Sequence, residues 1–446
     1  LVGSEMCIRD RVIEGGKPLE GEIFLHGAKN SALPILAGTL LCDGETVLEN
    51  CPRLTDVFAA CRILTHLGCR CTVQEHTVTV QVRDLCADTI PEVLMQEMRS
   101  SIIFLGAVLG RSGSCHLSYP GGCELGPRPI DMHLDALRQM GAHFSVHGGQ
   151  LDCTAPEGLH GAGIHLPFPS VGATENVMLA AVLAEGRTVL HNAAREPEIC
   201  DLAAFLRGCG ANISGDGEST IVISGVRKLR GSRHTIMPDR IAGVTYLGAA
   251  AITGGTLCLR GVSTQPMENM LPVLEQTGCR VFPEPDRLHL LAPRRLRAVP
   301  FLRTMPHPGF PTDAQAIFMA MLSLADGVSV LEENIFENRY RHVDALVKMG
   351  AKIRVSGRIA VVTGVRSLSG ASVAATDLRG GAAMVLAGLG AQGKTEVRQI
   401  AHIDRGYEAI EQALQGVGAK ISRVETAPVS ESAGRTDTKT CRIEKK

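Results

Sequence analysis

The sequence contains no tryptophan, and aromatic residues make up only 3% of its 446 positions. So few aromatic side chains provide no stacking platform for unpaired bases. The 45 lysines and arginines are balanced by 46 aspartates and glutamates, which leaves a net charge of −1. Such a chain has no electrostatic attraction for a phosphate backbone or an anionic membrane surface. We therefore expect no nucleic-acid partner.

Long hydrophobic runs and paired cysteines are also missing. The apolar runs, such as 102–109 and 177–183, are too short to cross a bilayer, so we expect no membrane insertion. The 15 cysteines are scattered singly, without the CxxC or His/Cys spacing of a zinc site. Single thiols in odd number fit a reduced, cytoplasmic protein better than a disulfide framework. We expect no structural metal.

Glycine is abundant, with 49 residues, and six glycines recur at a spacing of roughly 70 residues. Each one follows an amphipathic segment with apolar residues three or four apart, which predicts a helix ended by a glycine. Each one also precedes a small residue and a strand-like alternation. These glycines are Gly68, Gly141, Gly210, Gly278, Gly350 and Gly418.

A second type of helix also recurs six times, and it is apolar on every face. A helix of this kind must lie inside a domain, with sheets outside it. Three such units predict one compact α/β domain, and six predict two domains that divide near residues 230–233. The predicted starts lie near Ser31, Ser101, Glu175, Gly243, Ala314 and Ala382.

Cationic side chains stand in the loops that lead into both kinds of helix. Helix N-termini favour anions, and guanidinium groups bind phosphate or carboxylate through paired hydrogen bonds. Arg53 and Arg195 are explained equally well as anion-binding residues and as solvent-exposed side chains at the start of a helix. Five other cations at equivalent positions predict a site for phosphates and a carboxylate: Lys29, Arg128, Arg339, Arg379 and Arg405.

Two further residues are candidates for chemistry. Asp313 follows a proline-rich stretch and opens a buried helix, where it would be either an N-cap or a general base among cations. Cys123 lies five residues before Arg128 in a loop rich in glycine and proline. A thiol beside fixed positive charge loses its proton easily, whereas a buried cysteine would be inert.

Nine segments together resemble the UDP-N-acetylglucosamine 1-carboxyvinyltransferases, a family of enolpyruvyl transferases. The resemblance extends from about residue 12 to residue 424. The segments are GAKNSALP (27–34), PGGC (120–123), GPRP (126–129), SVGAT (170–174), REPE (195–198), FPTD (310–313), FENR (336–339), TDLR (376–379) and HIDRGYE (402–408).

The resemblance implies an inside-out α/β barrel fold with two domains of three repeated units each and the substrate cleft between them. Residues 30–230 would form the first domain, which carries the cysteine loop, and residues 12–29 with 231–424 the second. Residues 1–11 fit nothing downstream and are expected to be a non-native or disordered leader, and the polar residues 425–446 a disordered tail.

The resemblance also implies the reaction, which is transfer of the enolpyruvyl group of phosphoenolpyruvate to the 3′-hydroxyl of UDP-N-acetylglucosamine. No cofactor and no metal would be needed. Lys29, Arg128 and Arg405 would hold the phosphate, Asp313 would take the hydroxyl proton, and Cys123 would act as general acid and as the nucleophile that fosfomycin alkylates. The other substrate-binding positions would be Asn30, Arg99, Pro129, Ile130, Asp131, Met132, Ser170, Val171, Gly172, Ile335, Arg339, Asp377 and Arg379.

Two alternatives remain at this point. An enolpyruvyl transferase acting on shikimate 3-phosphate would open its first loop with a Ser-Lys-Ser type motif and would lack the cysteine loop; Lys29-Asn30 and Cys123 argue against it. The second alternative is a catalytically weak paralogue that binds the sugar nucleotide and regulates the pathway. It is disfavoured because this sequence has a residue for every polar role that the resemblance implies. The oligomeric state is not predicted.

Overall fold

Six helices buried along most of their length form the interior. The structure is a computed structural model, and it describes residues 8–83, 85–98, 101–118 and 130–426. Within these ranges the buried helices begin within four residues of the predicted positions, because alanine, glycine and aliphatic residues cover all of their faces. They are α1 (Lys29–Thr39), α4 (Phe104–Ser112), α6 (Val171–Ala181), α8 (Arg240–Thr253), α10 (Thr312–Leu322) and α12 (Leu378–Gly390).

Glycines inside these helices allow close packing. A β-carbon on Gly106 of α4 would stand 2.3 Å from the backbone carbonyl oxygen of Asn176 in α6. A β-carbon on Gly248 of α8 would lie 3.0 Å from Ile317 and 3.1 Å from Leu386, where α8, α10 and α12 meet. The helices α4 and α6 therefore approach each other at a distance that only glycine permits, and a side chain at Gly248 would require its neighbours to shift.

Six amphipathic helices cover the ends of the repeated units. The predicted glycine after each one has a φ between 93° and 105°, the left-handed conformation that ends a helix at low cost in glycine. These helices are α2 (Thr55–His66), α5 (Asp131–Gln139), α7 (Pro197–Gly208), α9 (Leu271–Gln276), α11 (Val343–Lys348) and α14 (Ile410–Gly416). Shorter helical pieces are α3 (Glu92–Glu97), α13 (Ala401–Asp404) and 3₁₀ turns at Ser101–Ile103, Gln265–Met267 and Arg339–His342.

Six mixed sheets surround the buried helices, and their strands alternate buried and exposed residues as one-sided sheets do. In the first half of the chain the strands are β1 (Ile8–Glu14), β2 (Glu20–Phe24), β3 (Cys42–Glu49), β4 (Arg70–Gln74), β5 (Thr77–Val82), β6 (Thr89–Ile90), β7 (Ser114–Ser118), β8 (His143–His147), β9 (Gln150–Thr154), β10 (Gly163–His165), β11 (Arg187–His191), β12 (Asn212–Ser214), β13 (Thr220–Ser224), β14 (Leu229–Arg230) and β15 (Arg233–Thr235). In the second half they are β16 (Thr256–Arg260), β17 (Arg280–Pro283), β18 (Arg287–Leu291), β19 (Phe301–Arg303), β20 (Val328–Glu332), β21 (Lys352–Ser356), β22 (Ile359–Thr363), β23 (Leu368–Ser369), β24 (Ser372–Ala374), β25 (Ala391–Gln392), β26 (Lys394–Arg398) and β27 (Lys420–Thr426).

In the described part of the chain, five of these sheets pair two strands in parallel and add two antiparallel ones, and the sheet of β3 pairs both β14 and β15 in parallel with β3. The orders are β14-β3-β5-β4 with β15 also on β3, β6-β7-β9-β8, β10-β11-β13-β12, β17-β18-β16-β2, β19-β20-β22-β21 and β24-β26-β1-β27, while β23 and β25 form a separate pair. The parallel register places Ile23 opposite Leu259, and an antiparallel one places Val189 opposite Val222.

The chain crosses between its two halves near the N-terminus. The strand β1 lies between β26 and β27, and β2 completes the sheet of β16. In the other half of the chain, β14 and β15 pair with β3, which belongs to the first repeated unit. The opening segment therefore packs with the C-terminal half of the chain.

Both predicted terminal segments are shorter than expected. The strand β1 begins at Ile8, so residues 8–11 of the predicted leader belong to a sheet. The reason is Arg11, whose fully buried guanidinium donates to Glu411 at 2.9 Å and to Asp404 at 2.6 Å. At the other end β27 continues to Thr426, two residues into the predicted tail.

Buried apolar side chains form two clusters. We call the cluster within residues 32–236 the first core, and the cluster of residues 13–25 with 241–421 the second core. No helix in the described part of the chain has the length and apolar character needed to cross a membrane.

A buried histidine joins three helices of the first core and provides a pH-dependent contact. Asn176 donates from Nδ2 to Nδ1 of His133 at 2.8 Å, and its Oδ1 accepts the backbone N–H of Gly106 at 2.6 Å. Burial lowers the pKa of His133 to about 4. His133 is therefore neutral in the folded protein at pH values where the unfolded chain binds a proton.

We expect the unfolding free energy to fall as pH falls from about 6.5 towards 4, because the unfolded state then binds more protons than the folded state. A pKa that moves from about 6.5 to about 4 corresponds to roughly 3 kcal/mol over this range. His133→Gln should make urea midpoints less dependent on pH, whereas His147→Gln, at an exposed position, should not. Identical pH slopes in both variants would contradict the prediction.

Candidate active site

A buried carboxylate brings two of the predicted cations together. Lys29 opens α1, Asp56 lies in the first turn of α2, and Arg405 follows α13. The Lys29 ammonium is 3.1 Å from Asp56 Oδ2, and the Arg405 guanidinium donates to both Asp56 oxygens at 2.9 and 3.1 Å. The Asp56 side chain has 0% exposure, whereas Lys29 keeps 12% and Arg405 19%. The two cations therefore reach solvent while their shared anion does not.

The position of Lys29 favours an additional anion. Burial lowers its pKa, Asp56 opposes that shift, and the charges of Arg405 and Arg379 lower the pKa further. An added anion would stabilise all three cations. Lys29 and Asp56 belong to helices of the first core, while Arg405 belongs to the second, so this cluster joins the two cores.

Asp313 lies between two arginines of the second core. Its Oδ2 accepts from Arg379 at 3.1 and 3.3 Å, and its Oδ1 accepts from Arg339 at 3.2 Å. Burial alone would raise the pKa of Asp313, but Arg379, Arg339 and Lys29 outweigh burial and hold it well below its usual range. The carboxylate is therefore ionised.

The helix-cap interpretation of Asp313 is wrong. The residue before α10 is Pro311, no side chain caps this helix, and Asp313 lies in its first turn with its oxygens on the arginines. The carboxylate that caps a helix in this cluster is Asp377, at the start of α12. It accepts the N–H groups of Arg379 and Gly380, both at 3.0 Å, and its Oδ1 lies 3.8 Å from Arg339.

The two groups of charges form one electrostatic cluster, because the charge of Lys29 also lowers the pKa of Asp313. Tyr407 packs against the cluster: the Arg379 guanidinium lies 5.3 Å from the centre of the Tyr407 ring. The Tyr407 hydroxyl is 2.8 Å from Thr245 Oγ1. The four cations Lys29, Arg339, Arg379 and Arg405 face the three carboxylates Asp56, Asp313 and Asp377. Among these seven side chains the cations outnumber the carboxylates by one, and Asp239 adds a further carboxylate whose charge acts on Arg379.

A second group of predicted residues lies where α5 and α6 begin side by side. Ser170 caps α6 by accepting the N–H of Ala173 at 3.3 Å. A β-carbon on Gly172 would stand 3.0 Å from the His133 ring, so the two helix starts are in contact. Adjacent helix N-termini favour anionic groups. The predicted residues at these starts are Ile130, Asp131, Met132, Ser170, Val171 and Gly172.

Two more predicted residues lie beside elements that carry the electrostatic cluster. Asn30 follows Lys29 in α1 and is half-buried. The N–H of Ile335 donates at 2.9 Å to Glu333, which also accepts from Thr312 at the start of α10. Four predicted residues lie outside the described part of the chain: Arg99, Cys123, Arg128 and Pro129.

Sequence reasoning missed Asp56 and did not single out Tyr407. An aspartate in the first turn of an amphipathic helix is common, so Asp56 carried no distinguishing signal. Tyr407 did carry one, since it is one of only four tyrosines and stands two residues after Arg405.

The sequence and the fold match known enolpyruvyl transferases. Residues 13–414 match a sequence family described as EPSP synthase (3-phosphoshikimate 1-carboxyvinyltransferase). The enolpyruvyl transferase NikO from Streptomyces tendae has a similar structure, with a TM-score of 0.86 at 24% identity, covering 94% of this chain and 100% of that one. EPSP synthase from Acinetobacter baumannii has a TM-score of 0.74 at 19% identity, covering 94% of this chain and 100% of that one. At these identities the structural likeness shows the fold.

Curated relatives are more similar in sequence. UDP-N-acetylglucosamine 1-carboxyvinyltransferase 2 of Caldanaerobacter subterraneus subsp. tengcongensis is 48% identical over 92% of this chain and 99% of its own. UDP-N-acetylglucosamine 1-carboxyvinyltransferase of Nitratidesulfovibrio vulgaris (strain DP4) is 49% identical over 92% and 98%.

The chain thus has the fold of an enolpyruvyl transferase, and the prediction that it is a transferase enzyme is confirmed. Within that class it belongs to the UDP-N-acetylglucosamine 1-carboxyvinyltransferase family, as the motifs indicated.

Proposed function

We propose that this chain transfers the enolpyruvyl group of phosphoenolpyruvate to the 3′-hydroxyl of UDP-N-acetylglucosamine and releases phosphate, the first committed step of bacterial peptidoglycan synthesis. One observation carries the proposal. Lys29 and Arg405 share the buried Asp56, in one electrostatic cluster with an Asp313 that two arginines hold ionised. We assign this reaction to the cytoplasm.

Lys29 and Arg405 suit the phosphate of phosphoenolpyruvate. Lys29 and Arg405 remain partly exposed while both contact Asp56, so they can add an anion without leaving their partner. Charge-assisted hydrogen bonds from ammonium and guanidinium groups are the strongest contacts to phosphate. Arg128, whose role follows from the family resemblance, would add a third cation.

Asp313 is the proposed base. In the free protein its two oxygens are occupied by Arg339 and Arg379. The carboxylate and phosphate of phosphoenolpyruvate compete for these guanidinium groups, and this competition raises the pKa of Asp313 and lets it accept a proton. Asp313 would then take the proton of the 3′-hydroxyl as that oxygen attacks C2 of phosphoenolpyruvate.

The reaction balances through a tetrahedral intermediate. The methylene carbon C3 gains a proton as the C2–O bond forms, and the family resemblance assigns this proton to Cys123. The intermediate then loses phosphate from C2 and a proton from C3, which restores the vinyl double bond. Asn30 would position the intermediate, and the starts of α5 and α6 would hold the uridine diphosphate.

We propose the inside-out α/β barrel as the fold of both halves, with domains at residues 30–230 and at 12–29 plus 231–424. The two cores and the chain crossing support this division. The cleft between the domains would hold the substrates, since Arg405 of the second domain pairs with Asp56 of the first.

A phosphate-release assay tests the function. Phosphate should appear when phosphoenolpyruvate and UDP-N-acetylglucosamine are both present, and not when either is omitted. Release with shikimate 3-phosphate in place of the sugar nucleotide would favour the alternative transferase. Binding of the sugar nucleotide without release would favour the regulatory paralogue.

Arg405→Ala should lower kcat/KM for phosphoenolpyruvate by roughly 10- to 100-fold, because a charge-assisted hydrogen bond contributes about 1.5–3 kcal/mol. Steady-state phosphate release measures the effect. The control is Arg423→Ala, since Arg423 also pairs with carboxylates, at Asp404 and Glu411, away from Asp56. An equal loss in both variants would remove Arg405 from the phosphate site.

A further inference from the structure

Three side chains from distant parts of the sequence meet beside the chain crossing. His26 follows β2, His76 lies in the turn between β4 and β5, and Glu408 precedes α14. One ligand atom from each lies within 4.8 Å of the others. The two imidazole rings are stacked, with centres 4.0 Å apart and planes 9° from parallel.

Backbone groups orient two of the three ligands. His76 Nδ1 lies 3.3 Å from the carbonyl oxygen of Cys51, which can only accept, so Nδ1 carries the proton. His76 Nε2 then faces Glu408 Oε1 at 3.6 Å. The other Glu408 oxygen accepts the N–H of Arg53 at 2.9 Å. In the neutral ring, the Nε2 lone pair therefore faces a carboxylate oxygen, and a cation between the two would resolve the repulsion.

This arrangement resembles the surroundings of metal ligands in proteins. A ligating histidine normally donates its second ring N–H to a backbone carbonyl or carboxylate, and ligating carboxylates are themselves hydrogen-bonded. A neutral imidazole is the form that binds a metal.

The cluster is open to solvent. The side chains of His76 and Glu408 are 32% and 21% exposed, so an ion can reach them. His26 and Glu408 also line a cavity of about 30 Å³, which is large enough for a water molecule.

We propose that His26, His76 and Glu408 bind a divalent transition-metal ion of the zinc type, with water as the fourth ligand. Two imidazoles and a carboxylate suit this class better than they suit magnesium or calcium, which prefer oxygen ligands. Zn²⁺–nitrogen bonds are about 2.0–2.1 Å long and lie in the plane of the imidazole, so one of the two stacked rings would have to turn out of the stack to direct both nitrogen lone pairs at one ion.

The ion would join the two cores. His76 belongs to a hairpin of the first core, whereas His26 and Glu408 flank Leu25 and Tyr407 of the second core. Glu408 is three residues from Arg405, so the ion would also hold the loop that carries Arg405. The site is separate from the transfer reaction, and its existence does not depend on the proposed function.

Cobalt titration of the full chain under reducing, phosphate-free conditions tests the site. We expect one equivalent of Co²⁺ to give a visible spectrum without the sulfur-to-cobalt absorption of a cysteine ligand. His76→Ala and the more conservative Glu408→Gln should each lose this equivalent, while His147→Ala keeps it. Zn²⁺ should raise the urea midpoint of the wild type and of His147→Ala only.

Circular dichroism establishes that each variant is folded, and Glu408→Gln preserves the test if His76→Ala does not fold. Equal stoichiometry in the wild type and a folded His76→Ala or Glu408→Gln variant would overturn the proposal. A spectrum in which cobalt binds only through thiolates would overturn it as well, as would the absence of bound cobalt at neutral pH.

Discussion

Asp313→Asn is expected to lower turnover by about 10²–10⁴-fold, the usual contribution of a general base. Asparagine keeps the shape of the side chain and one oxygen for Arg339 or Arg379, but it cannot accept the hydroxyl proton. Phosphate release with both substrates saturating measures the effect. Urea unfolding of the same preparation shows whether the variant is folded.

The control for Asp313 is Asp326→Asn, since Asp326 also pairs with an arginine, Arg295 at 3.4 Å, on an exposed surface. This variant should turn over normally. If Asp313→Asn also kept near-normal turnover, Asp313 would serve only to hold Arg339 and Arg379 in place. A loss of activity that parallels a loss of folded protein would likewise remove the base assignment.

Asp56→Asn is expected to destabilise the protein by about 3–5 kcal/mol, because removal of one partner of a buried ion pair leaves uncompensated charge. Both Lys29 and Arg405 would lose their carboxylate, whose side chain is fully buried. The shift of the urea midpoint measures the loss. Inorganic phosphate should restore more stability to this variant than to the wild type, since the two cations then lack an anion.

The matched control for Asp56 is Asp43→Asn. Asp43 also contacts two cations, Arg111 at 2.7 Å and Lys228 at 2.8 Å, but 34% of its side chain is exposed. Exposed ion pairs contribute about 0–1 kcal/mol, so the control should lose little. Similar midpoints for the two variants would show that Asp56 does not stabilise the cluster through charge.

The repeated architecture could be predicted from the sequence because its signals are local. A helix apolar on every face, a helix apolar on one face and a glycine after it are patterns within about 20 residues. All six predicted glycines have the left-handed conformation, and all six buried helices begin within four residues of their predicted starts. Motif resemblance added the family, which the comparisons confirm.

The sequence by itself thus determined the repeated helix and strand units, the α/β fold class and the cations at the helix starts. Only the tertiary structure decided which charges meet. Arg405 reaches Asp56 across 349 residues, and β1 enters a sheet formed by the other end of the chain. The same applies to His26, His76 and Glu408, whose spacing resembles no metal motif. Periodicity encodes which face of an element is buried, but contacts between elements depend on how the whole chain packs, and local patterns carry no record of them.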